Sequence, residues 1–70
     1  MKIDTGASLR VAQAKNKVSG SSLARAFNVH PQQVMRWRTG SDMKVSLAIL
    51  LADFFDLTLS EFIALGENHG

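Results

Sequence analysis

The chain contains one proline, Pro31, and it follows directly on Asn28-Val29-His30. Proline fixes φ and lacks a backbone N–H, so it suits the first position of a helix and breaks one anywhere further in. Asparagine accepts left-handed backbone better than any residue but glycine, and so suits a sharp stop. These residues predict a helix ending near Phe27, a turn of about three residues, and a helix beginning at Pro31. The rest of the chain has no proline, no period-two alternation over strand lengths and few β-branched residues. The expected fold is all-α, a compact bundle of five short helices.

Capping and periodicity place the other helices. The first is expected from about Ala7 to Lys17, capped by Asp4 or Thr5, with Leu9, Ala12 and Val18 inward and Arg10, Lys15 and Lys17 outward. Ser19 is the expected N-cap of the second, Ser21 to Phe27, in which Leu23, Ala24 and Phe27 share a side. The third should run from Pro31 to Arg38 and close at Thr39-Gly40. Ser41 or Asp42 is expected to cap the fourth, Lys44 to Phe55. Leu47, Leu50, Leu51 and Phe54 form one apolar strip on it and Val45, Ile49 and Ala52 a second, so it is either the central helix or one that meets another chain. Thr58-Leu59-Ser60-Glu61 is a capping box, with Leu57 placed to staple onto Phe62, and opens a fifth helix ending at Gly66. Residues 1–66 are thus expected to form a single domain, with 67–70 as a frayed tail.

Seventy residues allow one compact unit and leave little scaffold for a multi-step active site. With no cysteine, neither disulfides nor a thiolate metal site can supplement the core. Self-association or a partner is therefore expected, whereas cofactor and metal are not. The longest apolar run, Leu47 to Ala52, is far short of a membrane span, and the N-terminus lacks an apolar leader, so the chain reads as soluble and cytoplasmic. Charge is polarised. Residues 1–40 carry seven basic side chains and one acid, residues 41–70 one basic side chain and five acids, for a net +2. Such a map suits an N-terminal part facing a polyanion, although basic residues scattered over a solvated face would read the same way.

The second helix, tight turn and third helix have the lengths of a DNA-binding helix-turn-helix. On the third helix Gln32, Gln33 and Arg36 span about 100° of the circumference, with Val34 and Trp37 opposite. Gln and Arg present paired groups matched to adenine and guanine edges, so these three are the candidate base contacts. The alternative is an ordinary solvated face, with Gln33 occupied in local capping. Met35 borders the same face. Ser19 and Ser21, at a helix N-terminus with free N–H groups, are candidate phosphate contacts, as are Arg10, Lys17, Arg38, Thr39 and Lys44.

Leu23-Ala24, Asn28-Val29, Val34, Trp37 and Gly40 fall at the spacing LA-x3-G-V-x4-I-x2-W-x2-G, and on these residues the chain resembles the lambda-repressor-like (Cro/repressor, XRE) helix-turn-helix family. The resemblance continues through Gly6, Leu9 and Val18-Ser19 upstream and the fourth and fifth helices downstream. In three places the chain departs from that pattern. Asn28 replaces the usual glycine. Gly20 stands where a glutamine commonly binds phosphate and braces the recognition helix. Gln13 and Arg38 replace an arginine–glutamate pair, which frees Arg38 toward DNA. The resemblance implies a small phage- or prophage-type transcriptional regulator, a Cro-like repressor in a bacterial cell, nucleoid-associated. It would bind a near-palindromic double-stranded operator as a homodimer, with no small-molecule effector. The acidic, apolar C-terminal part is the expected place for the dimer contact, with Phe55, Leu57, Leu59 and Phe62 as candidates, some of which belong to the core instead.

A rival reading is a protein-interaction module, such as an antitoxin or adaptor, whose basic side takes an acidic partner. An enzyme is disfavoured, because the chain has no Cys or Tyr and its two histidines, His30 at a helix start and His69 in the tail, lack a third ligand.

Overall fold

The computed structural model describes residues 4–39 and 43–67, and five helices account for nearly all of them: α1 (Thr5–Asn16), α2 (Gly20–Phe27), α3 (Pro31–Thr39), α4 (Val45–Phe54) and α5 (Leu59–Glu67). No strand occurs among the described residues. The expected caps Ser41 and Asp42, the expected stop Gly40 and the tail beyond Glu67 lie outside them.

Each helix boundary has a local cause. Asp4 caps α1, its carboxylate accepting from the Ala7 N–H at 2.9 Å. Lys17 then ends α1 in the left-handed conformation, at φ 54°. Ser19 caps α2 through the Ser22 N–H, and Asn28 closes it at φ 56°, with the Val29 N–H donating back to the Ala24 carbonyl. His30 starts α3, its ring Nδ1 accepting from the Gln32 N–H and its carbonyl from the Gln33 N–H. The capping box is fully formed: the Glu61 N–H donates to Thr58 Oγ1, and the Thr58 N–H to Glu61 Oε1.

Helix α4 starts on Lys44, which makes no side-chain capping bond.

The core gathers Leu9 and Ala12 of α1, Leu23 and Ala24 of α2, Val34 of α3, Ala48, Leu51 and Ala52 of α4, then Phe55 and Phe62. Aromatic edges tie α2 to its neighbours. Phe27 stands edge-on to Trp37, with centroids 5.8 Å apart, and to Phe54 at 5.6 Å. Such contacts fix ring orientation as well as burying area.

Helix α1 is the hub. It packs against both α3 and α5, and it does so through small residues. A Cβ added to Gly6 would lie 2.7 Å from the Arg38 carbonyl oxygen, so the backbones of α1 and α3 touch there. At Gly66 an added Cβ would lie 2.5 Å from the Asp4 carbonyl oxygen and 2.6 Å from Ser8 Oγ. Ser8 is fully buried; its hydroxyl accepts from the Gly66 N–H and lies within donating distance of the Ile63 and Asp4 carbonyls. Gly66 therefore does not end the fifth helix as expected. It lies within α5, and its missing side chain admits α1 at close range.

Candidate functional site

Val34 is completely buried and Trp37 half-buried, which fixes the rotation of α3 about its axis. Gln32, Gln33 and Arg36 are consequently exposed on the opposite side, beside Met35 at 63% exposure. Among the described residues, no other part of the chain covers the three expected base contacts. Gln33 and Arg36 open onto a shallow depression of about 380 Å³ that they share with Trp37, Met43, Lys44, Ser46 and Leu47. Lys44, at the start of α4, thus lies beside this exposed face of α3.

A second depression, about 360 Å³ and more open, lies where the end of α1 meets the start of α2 and the end of α3. Arg10, Lys17, Ser19 and Arg38 all line it, together with Gln13 and Gly20. Four of the seven candidate phosphate contacts, scattered over 29 residues of sequence, are brought to one place. Ser21 is exposed on the first turn of α2, and Thr39 on the last turn of α3, where its hydroxyl donates to the Met35 carbonyl.

Arg10 and Arg38 are not simple surface cations. Arg10 is half-buried and its guanidinium donates to the Arg38 carbonyl, placing a positive charge on the C-terminal end of α3, where the helix dipole favours one. Part of its donor capacity is thereby committed within the chain. Arg38 is half-buried as well, and its Nε is enclosed without a hydrogen-bond partner among the described residues. Gln13 is 5% exposed; its Nε2 donates to the Val18 carbonyl and its Oε1 is unpaired. The ion pair that the family resemblance would place here is replaced by two side chains with unspent hydrogen-bonding capacity, and both line the second depression.

Of the four possible dimer contacts, the structure places two in the core. Phe62 is fully buried and Phe55 8% exposed, and both belong to the core. Leu57 and Leu59 are half-buried against the same core. Among the described residues, the exposed large apolar side chains are Val45, Ile49, Leu50 and Phe54 of α4, with Met35 of α3.

Among the described residues no group of three or more His, Cys, Asp or Glu side chains is arranged to hold a metal ion, and no helix is long and apolar enough to cross a membrane. Comparison of the chain with protein-family models, with curated proteins and with solved structures finds no match.

Proposed function

We propose that this chain is a sequence-specific double-stranded DNA-binding protein of the helix-turn-helix kind, a Cro-like transcriptional regulator with α3 as its recognition helix. The observation that carries the reading is the division of α3. Val34 and Trp37 anchor one side, while Gln32, Gln33 and Arg36, the side chains best suited to adenine and guanine edges, stand free on the other. In this reading α2 crosses the DNA backbone, and the two flanking depressions take phosphates. Ser19, Lys17 and Arg38, with the uncommitted part of Arg10, serve one, with Thr39 beside Arg10 and Arg38 and Ser21 exposed on the first turn of α2; Lys44 serves the other. One module of this size touches too few base pairs for selectivity by itself, so two copies act on a near-palindromic operator with their recognition helices about 34 Å apart.

Selection of bound duplexes from a random pool at about 150 mM salt tests this. A two-fold motif with defined positions is the expected result. Binding without sequence preference that vanishes at that salt would overturn the reading and favour an acidic protein partner.

A further inference from the structure

We infer that Phe54, the last residue of α4, is a positioning residue for the proposed recognition helix: through Phe27 it fixes the ring of Trp37, and with it the setting of α3. The effect at DNA rests on the proposed function, whereas the effect on Trp37 does not need DNA.

Three edge-on contacts carry the inference. Trp37 and Phe27 have ring centroids 5.8 Å apart at an interplanar angle of 71°, Phe27 and Phe54 5.6 Å apart at 63°, and Phe54 and Phe55 5.0 Å apart at 89°. Four of the five aromatic residues thus form one unbroken ladder from α3 across α2 to the end of α4. Phe55 is part of the core, so that end of the ladder is fixed. Phe54 is 41% exposed and gains only part of the transfer energy of a buried phenylalanine, yet its ring is held by neighbours on two sides.

The ladder matters because of how α4 is joined to the rest. Among the described residues its backbone approaches α5 closely, but not α2 or α3. Its hold on those two helices is made by side chains, those of the core and these rings. On α3, moreover, the two anchors are unequally held. Val34 is completely buried, whereas Trp37 is half-buried and forms part of the wall of the depression onto which Gln33 and Arg36 open. The indole takes its orientation from Phe27, and Phe27, itself half-buried, takes its own from Phe54. An edge-to-face pair constrains ring tilt as well as separation; an aliphatic side chain does not. Leucine at position 54 would keep apolar bulk but free Phe27 to tilt, and a loosened Trp37 would let Gln33 and Arg36 take up more than one setting against a base edge.

Trp37 is the only tryptophan and the chain has no tyrosine, so its near-ultraviolet circular dichroism band and its emission report on this ring alone. In the full chain without DNA, Phe54→Leu should alter both signals while the far-ultraviolet spectrum stays native, because the position is already open to solvent. Phe54→Tyr, which keeps a ring, should preserve both signals, as should Leu50→Ala, an exposed neighbour outside the ladder. Phe27→Leu should alter them too, and adding Phe54→Leu to it should change nothing further. On DNA, Phe54→Leu should reduce discrimination against sites substituted at the position read by Arg36 by about two- to tenfold, the range that corresponds to one lost aromatic pair. Leu50→Ala should leave that discrimination intact. A native Trp37 signal in Phe54→Leu, an equal change in Phe54→Tyr, or a further change when Phe54→Leu is added to Phe27→Leu overturns the inference. So does an altered Trp37 signal with discrimination intact. A native chain without any sequence preference overturns the proposed function instead, and the spectra then decide whether the ladder sets Trp37.

Discussion

Helices α1 and α4 exchange the roles their compositions suggest. Helix α4 is apolar nearly all round, yet buries only Ala48, Leu51 and Ala52. Helix α1 is rich in small and polar residues and buries Gly6, Ala7, Ser8, Leu9, Ala12 and Gln13. The difference lies in how closely a helix can be approached. Glycine, alanine and serine let two other helices reach the α1 backbone, whereas the bulky residues of α4 can fill the core from one side only. Hydrophobicity measures what a helix would gain by burial; side-chain size decides how many neighbours it can have.

The contrast is broken most forcefully at Leu9. Leu9→Ala should cost about 3 kcal/mol in urea unfolding, by lost transfer energy and a cavity, whereas Leu50→Ala, at an exposed site, should change single-chain stability by less than about 0.5 kcal/mol. Comparable losses at the two positions would show that α4 is buried more deeply than described.

Close helix approach is probed next. Gly66→Ala should cost about 2 kcal/mol, because the new methyl group would lie within 2.6 Å of the Asp4 carbonyl oxygen and of the buried Ser8 hydroxyl. Gly6→Ala should behave alike, with the loss shared between the α1 contact and the end of α3. Unchanged denaturation midpoints in both would remove the hub role of α1.

Smaller effects sharpen the account. Thr58→Ala should cost about 1 kcal/mol by opening the capping box, read from the same unfolding curves. Gly20→Ala should lie within about 0.5 kcal/mol of the native chain, since a Cβ there makes only an ordinary 3.9 Å contact with Val34. A large loss at Gly20 would mean that its backbone, rather than open space, sets the residue type.

The same distinction explains what was legible in the sequence. The Thr58–Glu61 box, the Ser19 cap and the left-handed Asn28 rest on groups within three or four residues of one another, so spacing alone located them. The inward Val34 and Trp37 and the outward Gln32, Gln33 and Arg36 were legible too, because a helix face is fixed by 100° steps. Gly66 was misread as a stop, since its reason lies 58 residues away at Ser8. Which of Phe55, Leu57, Leu59 and Phe62 belong to the core was left open, because a chain with more apolar residues than one face can hide does not say which strip meets the core. The gathering of Arg10, Lys17, Ser19 and Arg38 is tertiary, and no spacing rule announces it.

The central claim is that α3 presents a reading face held outward by its anchors. Its most direct test is the base-preference profile of Arg36→Ala beside that of Lys44→Ala, measured on the same set of singly substituted sites. The account predicts that Arg36→Ala erases preference at one defined position per half-site, at a cost of about 1–3 kcal/mol on the native sequence, while Lys44→Ala weakens all sites alike. A uniform loss from Arg36→Ala, with every positional preference intact, would contradict it.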